Sequence, residues 1–384
     1  MIASRLSGFG TTIFTEMSAL AERTGSINLG QGFPDEDGPA EVLEAAQAAM
    51  RDGRNQYAPL PGVPALREAI AEHQRRFYGL EIEDVQVTMG ATEAIAAAVL
   101  GLCEPDDEIL AFDPFYDSYG AAAAMTGARL VPVPLHPPEW TFDPAELRAA
   151  VTPRTRAILV NTPHNPTGRV LSRAELQEIA AVVQEHELIA ITDEVYEHLV
   201  FDGLEHIPLA TLDGMRERTL TISSLGKTFS VTGWKVGWAT GPAPLVAGVR
   251  AAKQFLTFAG ATPFQYAGAA ALRLADGWYA AFARDLQAKR DHICAGLAGA
   301  GFEVTPCQGT YFVNADVGTD AAEFARELPH RSGVVAIPTS VFSAEPERLR
   351  PYLRFAFCKR LGVIDEAASR LSAHRVSDRI RSTS

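Results

Sequence analysis

Short apolar runs alternate along the middle of the chain with longer segments whose apolar residues recur every three or four positions. Runs of the first kind predict strands, and segments of the second kind predict helices. The apolar runs occupy residues 85–89, 108–112, 129–135, 156–161, 188–194, 220–224 and 236–241. The helical segments between them are 90–103, 116–127, 143–151 and 172–187. This alternation predicts an α/β fold with a mostly parallel, seven-stranded sheet that is covered on both faces.

The two ends of the chain show a different pattern. Before the first strand we predict helices at 15–23, 40–51 and 66–79, the last ended by Gly79. After about residue 245 the pattern is helical through residue 290. It then predicts strands at 302–306, 310–316, 334–338 and 350–357, with helices at 320–330 and 362–374. We therefore expect a large domain at 38–270 and a smaller α+β domain formed by 1–37 and 271–384.

Composition and charge narrow the class of protein. Of 384 residues, 47% are hydrophobic, enough for a sizeable core, and a formal net charge of −13 argues against a nucleic-acid partner. Charged residues or glycines interrupt the longest apolar runs, so we predict no transmembrane helix. The first residues lack the apolar segment of a signal peptide, from which we expect a cytoplasmic protein. The four cysteines form no CxxC pair, which favours free thiols over disulfides or a metal site.

One lysine stands out in the stretch TISSLGKTFSVTGWKVG at residues 221–237. Lys227 follows a predicted strand and a glycine, where the backbone can approach a cofactor closely. A lysine whose amine is desolvated in such a turn loses its proton more readily and can form an imine. A surface lysine in a loop is the alternative that this stretch alone leaves open.

Three further motifs follow predicted strand ends, the edge at which open α/β sheets bind ligands. MGATEA at 89–94 places a helix N-terminus and the Thr92 hydroxyl where phosphate can bind, although a plain strand-to-helix turn has the same pattern. NTPHNPTG at 161–168 holds Asn165 between stiffening prolines, or is simply a proline turn. TDEVYEH at 192–198 carries Asp193, either a helix cap or the partner of a protonated pyridine nitrogen, with Tyr196 near the same ring.

An imine-forming lysine, an aspartate for a pyridinium nitrogen and a phosphate-binding helix N-terminus are together the parts that bind pyridoxal 5′-phosphate (PLP). The motifs NTPHNPTG, TDEVYEH and SSLGKTFSVTGWKVGW resemble those of class I/II aminotransferases, which are PLP-dependent enzymes of fold type I. The segments QGFPDEDGP, NQYAPLPG, DPFYDSY and LRFAFCK are similar to one subgroup. It contains kynurenine/glutamine, methionine and actinobacterial N-succinyldiaminopimelate aminotransferases, and the resemblance extends over nearly the whole chain.

The resemblance implies a role toward the cofactor for each matching residue. Lys227 would bond to the cofactor as an imine and move the proton, and Asp193 would pair with the pyridine nitrogen. Asn165 and Tyr196 would bind the O3′ oxygen of the ring, and Tyr116 would stack on the ring face. The implied phosphate ligands are Ala91, Thr92, Ser224, Lys235 and, from a second subunit, Tyr57.

The resemblance also implies how a substrate is held, and a homodimer with shared sites. The implied substrate ligands are Arg354 for the α-carboxylate, Asn165, the backbone at Gly32 and, from a second subunit, Phe258. Lys235 stands where many relatives have arginine, which removes a bidentate phosphate contact. Ala259 stands where some kynurenine-active relatives have histidine, so a preference for kynurenine does not follow from the resemblance.

The expected activity is ping-pong transfer of an amino group between an L-amino acid and a 2-oxo acid. The substrates implied are N-succinyldiaminopimelate with glutamate, or a broad set that includes methionine, glutamine and aromatic amino acids. A PLP-dependent cysteine-S-conjugate β-lyase would use the same residues and is the alternative activity. A non-catalytic ligand-sensing module is disfavoured because the chain has neither the length nor the basic segment of an added DNA-binding domain.

Overall fold

The computed structural model describes residues 2–10 and 13–373. The helices are α1 (Ile13–Thr24), α2 (Ala40–Arg51), α3 (Pro64–Tyr78), α4 (Gly90–Leu102), α5 (Ser118–Thr126), α6 (Pro144–Ala149), α7 (Arg173–Glu185), α8 (Leu225–Thr228), α9 (Ala243–Leu256), α10 (Thr262–Leu272), α11 (Asp276–Gly299), α12 (Ala321–Ser332) and α13 (Leu361–Ala373). The strands are β1 (Ile27–Asn28), β2 (Asp84–Thr88), β3 (Glu108–Asp113), β4 (Arg129–Pro134), β5 (Thr155–Asn161), β6 (Ile189–Asp193), β7 (Thr219–Ser224), β8 (Gly237–Gly241), β9 (Glu303–Val304), β10 (Phe312–Asp316), β11 (Val334–Val335), β12 (Ile337–Pro338) and β13 (Tyr352–Ala356).

The largest sheet has seven strands in the order β2-β8-β7-β6-β5-β3-β4. Strand β8 is antiparallel to both of its neighbours, and every other neighbouring pair is parallel. All seven strands coincide with the apolar runs of the sequence, so the α/β fold with a mostly parallel seven-stranded sheet is confirmed. Because the parallel strands share one direction, the residues that follow β5, β6 and β7 meet at one edge of the sheet.

Both faces of this sheet are covered, as the apolar strands predicted. Along β3, Ile109 packs with the helices α4 and α9, whereas Leu110 packs on the opposite face with α7. This alternation follows from the two-residue period of a strand. Helix α7 begins at a capping box in which Ser172 accepts from the Glu175 backbone and the Glu175 carboxylate accepts from the Ser172 backbone.

The C-terminal part of the chain builds two smaller sheets, and here one predicted strand is wrong. The order of the first sheet is β12-β13-β10-β9, all antiparallel, and the second is the parallel pair β1-β11. The single strand predicted at 334–338 is instead two strands, because the chain leaves the partner β1 at Val335 and joins β13 at Ile337. All five residues of this segment are buried, and the apolar run therefore does not show where the pairing changes.

The predicted helical region after residue 245 also differs from the structure in its extent. It consists of α9, α10 and α11, and α11 continues beyond the predicted end at 290 to Gly299. Gly296 lies within this extension, and a Cβ there would overlap Ala368 of α13. The glycine therefore permits close packing of the two helices. The last predicted helix is α13, and its predicted final residue, His374, lies outside the described residues. The domain division at residues 38 and 270 stays a prediction.

Helices α4 and α9 cross at two glycines. A Cβ on Gly101 would overlap the carbonyl oxygen of Gly248, and a Cβ on Gly248 would lie 2.5 Å from Leu102. The two backbones therefore touch where they cross. Among the described helices none is long and apolar enough to cross a membrane.

We expect Gly101→Ala to destabilise the protein by about 2 kcal/mol or more, because the added methyl forces the two helices apart. The matched control is Gly277→Ala in α11, where a Cβ would have no atom within 4 Å. That variant should be unchanged or up to about 1 kcal/mol more stable, since alanine favours helix. The measurement is the urea midpoint at one protein concentration. Equal midpoints for the two variants would contradict the crossing geometry.

Candidate active site

A cavity of about 420 Å³ opens at the edge of the large sheet where β5, β6 and β7 end. It brings together most of the residues proposed from the sequence, which are Gly32, Ala91, Thr92, Tyr116, Asn165, Asp193, Tyr196, Ser224, Lys227, Lys235 and Arg354. It does not include Tyr57 and Phe258. Their side chains are 81% and 46% exposed, and their rings touch edge to face at 5.6 Å.

Lys227 lies in α8, the short helix that follows β7, and its amine is inside the cavity wall. Burial, as the largest cause, lowers the pKa of Lys227 from 10.5 to about 8, and the positive charges of Lys235 and Arg354 contribute in the same direction. The amine lies 5.8 Å from the ring centre of Tyr196 and 5.6 Å from that of Tyr311. Such an amine is neutral often enough at neutral pH to act as a nucleophile or base.

Asp193 ends β6 with its carboxylate buried at 5% exposure. The Tyr119 hydroxyl donates to it at 2.7 Å and the Val195 N–H at 3.4 Å, and neither donor is cationic. Burial raises the pKa of Asp193 from its ordinary value. A buried carboxylate in these surroundings is suited to a cationic hydrogen-bond partner on a ligand.

The opposite end of the cavity has the features of an anion site. Helix α4 begins at Gly90, which adopts a φ of +78°, and the Lys235 amine would lie 3.2 Å from a Cβ on Gly90. A Cβ on Gly237 would lie 2.5 Å from the Gly90 carbonyl carbon, so glycine lets β8 approach the start of the helix. The first turn of α4, whose N–H groups have no acceptor within the helix, and Lys235 thus line the same cavity as Thr92 and Ser224.

Arg354 comes from β13 in the smaller sheet and is buried at 1% exposure. Its Nη1 donates to Asn165 Oδ1 at 2.9 Å, and its Nη2 donates to the Gly30 carbonyl at 3.2 Å. The guanidinium lies between the rings of Phe312 and Phe342, with its Cζ atom 4.0 and 4.5 Å from the ring centres. Burial lowers the pKa of Arg354 to about 10, so the group stays cationic at neutral pH.

One unpaired Arg354 nitrogen shows what the guanidinium can bind. Nε is buried without a hydrogen-bond partner among the described residues. The two bonds that Arg354 does make go to neutral oxygens. A buried guanidinium with a free donor is suited to a carboxylate, which accepts two parallel hydrogen bonds from it.

The sequence analysis missed several residues that hold the site together. Tyr119 binds Asp193, and Asn161 donates to the Asp193 carbonyl at 2.7 Å while it accepts from the Asn165 N–H. The ring of Tyr311 faces the Lys227 amine, and the ring of Phe312 faces the Arg354 guanidinium. Asn161 lies within the motif NTPHNPTG and could have been found there. Tyr119 likewise ends the quoted segment DPFYDSY. Tyr311 and Phe312 carry no local sequence signal, because their partners are far along the chain.

A buried polar cluster outside the cavity supports the segment that follows β6. His73 of α3 and His198 approach within 2.7 Å between their Nε2 atoms, and Glu197 accepts from the Ser223 hydroxyl of β7 at 2.7 Å. Burial lowers the pKa of His73 to about 3, so its ring is neutral and can share one hydrogen with His198. The cluster ties α3 and β7 to the residues that directly follow Asp193.

Comparison with known proteins gives the same assignment as this geometry. The sequence model for "Aminotransferase class I and II" matches residues 24–371. The chain belongs to the class I and II aminotransferases. The fold and the enzyme class expected from the motifs are therefore confirmed, and this aminotransferase has its catalytic candidates in one cavity.

Three relatives show how far the similarity extends. The solved structure of N-succinyldiaminopimelate aminotransferase from Mycobacterium tuberculosis is 54% identical, with a TM-score of 0.95 over 97% of this chain and 100% of that chain. The methionine aminotransferase of Escherichia coli (strain K12) is 42% identical over 96% of this chain and 97% of its own. Human kynurenine–oxoglutarate transaminase 1 is 36% identical over 93% of this chain and 94% of its own.

Members of this family use PLP, and the residues of the cavity fit that group. Asp193 is a buried carboxylate without a cationic hydrogen-bond donor, as a pyridinium nitrogen requires. Lys235 and the first turn of α4 supply positive charge and N–H donors for a phosphate. Lys227 lies in the wall of the same cavity and supplies the amine.

The lowered pKa of Lys227 predicts how covalent loading of the cofactor-free protein with PLP depends on pH. The neutral amine reacts, so the loading rate should rise with pH around a midpoint of about 8, rather than near 10.5. The measurement is stopped-flow absorbance from pH 6 to 10. The same titration with Nα-acetyl-lysine corrects for ionisation of PLP itself. A corrected midpoint at 10 or above would show that the Lys227 amine is not desolvated.

Proposed function

We propose that this aminotransferase binds PLP in the cavity through the residues assigned from the sequence. Asp193 would hold the pyridine nitrogen, Tyr196 and Asn165 the O3′ oxygen, and Tyr116 the ring face. The phosphate ligands proposed are Ala91, Thr92, Ser224 and Lys235. The observation that carries the proposal is the meeting of Lys227, Asp193, Lys235 and Arg354 around one cavity.

Lys227 is the proposed base of the reaction. When bound, the cofactor supplies an aldehyde carbon that condenses with amines and a protonated ring that withdraws electrons from the substrate Cα. The neutral Nζ of Lys227 would take the proton from Cα and return it to C4′, the former aldehyde carbon of the cofactor. In the ligand-free cavity, a pKa of about 8 leaves about a tenth of the amine neutral at pH 7, against about 1 in 3,000 at the ordinary value of 10.5.

Arg354 orients the substrate for this proton transfer. Its guanidinium receives the α-carboxylate, with Asn165 and the backbone at Gly32 as the further donors proposed. Fixing the carboxylate fixes the direction of the Cα–H bond relative to Lys227. The amino acid and the 2-oxo acid each carry an α-carboxylate, so each can bind at Arg354 in turn, as ping-pong kinetics requires.

For the substrate we propose N-succinyldiaminopimelate, with glutamate as the amino donor in the reverse half-reaction. The support is the 54% identity, over nearly the full length of both chains, to the M. tuberculosis enzyme of that name. A second candidate is a broad set of methionine, glutamine and aromatic amino acids. It is favoured by the cavity lining of Phe14, Phe33, Phe312 and Tyr116, in which Lys227, Lys235 and Arg354 are the described cations.

The two substrate proposals differ in a panel of amino donors and 2-oxo acceptors ranked by kcat/KM. Under the first proposal we expect N-succinyldiaminopimelate to lead methionine, glutamine and phenylalanine by at least about a hundredfold, because the other donors would leave unpaired the polar groups that bind its second carboxylate. Comparable kcat/KM values for these donors would contradict the first substrate proposal and support the second.

Product analysis in the same panel tests the enzyme class. We expect the 2-oxo acid of each donor, formed in step with the amino acid made from the acceptor. The relatives named above are aminotransferases and give no support to the β-lyase alternative. Release of pyruvate, ammonia and thiol from cysteine S-conjugates as the main reaction would restore it.

We propose a homodimer in which Tyr57 and Phe258 of one subunit reach the cavity of the other. Both are strongly exposed and lie outside the lining of the cavity in their own chain. Phe255 and Leu256, next to them at the end of α9, are also exposed and add to an apolar surface that a second subunit would cover. The cytoplasmic location expected from the sequence stays a prediction.

Mixing two inactive variants tests the shared sites. In a mixed dimer of Tyr57→Ala and Lys227→Ala, one site would combine an intact Lys227 with the intact Tyr57 of the other chain. An equal mixture should therefore recover about a quarter of the wild-type activity, since half of the dimers are mixed and each has one complete site. No recovery despite demonstrated subunit exchange would show that Tyr57 acts within its own chain.

A further inference from the structure

We propose that Tyr311 is a positioning residue that holds the backbone of segment 30–33 in the orientation that receives the substrate carboxylate. The proposal deepens the proposed function and rests on it, since it concerns the same carboxylate site. Tyr311 does not line the main cavity, and its role would be exerted through Gly32.

The contact itself is a short hydrogen bond between distant parts of the chain. The Tyr311 hydroxyl donates to the carbonyl oxygen of Gly32 at 2.5 Å, across 279 residues of sequence. The side chain is 1% exposed, its ring lies edge-on to that of Tyr196 at 5.3 Å, and its backbone oxygen accepts from Phe357. A ring so enclosed cannot swing away, so the hydroxyl is a fixed donor.

Position 32 has room only for glycine, and the backbone of a glycine needs an anchor. A Cβ at this position would overlap the ring of Phe312 and would lie 3.2 Å from the ring of Tyr311. Phe312 also supports the guanidinium of Arg354, so the backbone at Gly32 lies close to the carboxylate site. Glycine permits this approach, but it leaves the backbone free to rotate. The Tyr311 hydrogen bond removes that freedom.

The neighbouring carbonyls of the segment are also held by side chains. Arg354 donates to the Gly30 carbonyl, and Lys359 donates to the Phe33 carbonyl at 2.6 Å. Among the described residues, no hydrogen bond uses the N–H of Gly32 or of Phe33. With the carbonyls of Gly30, Gly32 and Phe33 bonded to protein donors, the Gly32 N–H is a backbone group that can bind a ligand.

The Tyr311 bond does not depend on the atoms that would bind the substrate. Arg354 has five N–H donors and uses two of them within the protein, so a carboxylate can bind the others while Nη2 still donates to the Gly30 carbonyl. The Tyr311 hydroxyl contacts the segment at a different carbonyl, that of Gly32. Tyr311 therefore holds the peptide next to the Gly32 N–H independently of what Arg354 binds.

The test variant is Tyr311→Phe, which keeps the ring and removes only the hydroxyl. The matched control is Tyr279→Phe, a buried tyrosine outside the cavity whose hydroxyl donates to the carbonyls of Ala271 and Leu272. Stopped-flow absorbance of the PLP-loaded enzyme with glutamate or methionine, without acceptor, gives an apparent Kd and a limiting rate. Hydrogen exchange of the peptide that covers residues 28–35 is measured separately on the cofactor-free protein.

We expect Tyr311→Phe to raise the apparent Kd about five- to tenfold, the loss typical of one hydrogen bond, with a limiting rate within about twofold of wild type. Exchange within 28–35 should be faster, while Tm and exchange elsewhere stay as in Tyr279→Phe. The proposal is overturned if Kd and exchange are unchanged, if only the limiting rate falls, or if the control shows equal losses. If wild type itself gives no absorbance change with amino acids, the proposed function fails, and the exchange measurement still decides on the Tyr311–Gly32 contact.

Discussion

The constraint on which the site depends is the burial of positive charge around one cavity. The Arg354 side chain is buried, Lys227 is half-buried, and the Lys235 amine lies close to Gly90 at the start of α4. Taking cations out of water is costly unless anions or hydrogen bonds compensate. The oxygens that bind Arg354 are neutral, and the carboxylate of Asp193 is accompanied by two non-cationic donors. The described residues supply no anionic hydrogen-bond partner for the Arg354 guanidinium. An anionic ligand can supply that partner.

The charged groups of the cavity come from two different sheets of the fold. Asp193 ends β6 and Lys227 follows β7, two neighbouring parallel strands of the large sheet, so their positions are fixed by the same ladder of hydrogen bonds. Arg354 belongs to the smaller antiparallel sheet and reaches the cavity through its bond to Asn165, which follows β5. The pocket therefore forms only when the two sheets are in contact. A change in their relative position would alter the distance between the proton acceptor and the carboxylate site.

The sequence predicted those parts of the site that lie in contiguous motifs. A residue such as Asp193 could be assigned because the apolar strand before it, and the sheet edge to which it leads, are both visible in the local pattern. The pairing of Tyr119 with Asp193 and that of Tyr311 with Gly32 could not be found in this way, because the partners lie 74 and 279 residues apart. The split between β11 and β12 was missed for the same reason, since a fully buried run does not reveal which strand it pairs with. Local pattern thus predicts elements, and long-range pairing decides their partners.

The electrostatic coupling between the cations also bears on catalysis. Lys235 and Arg354 each lower the pKa of Lys227, after the larger effect of burial. An anion bound at either cation offsets its positive charge, and by Coulomb's law this raises the pKa of the lysine again. A phosphate at Lys235 and a carboxylate at Arg354 would both act in this direction. In the proposed reaction, Lys227 would therefore be a weaker base in the empty cavity, where a neutral amine favours attachment of a carbonyl group. It would become a stronger base with a substrate carboxylate at Arg354, when a proton has to be removed.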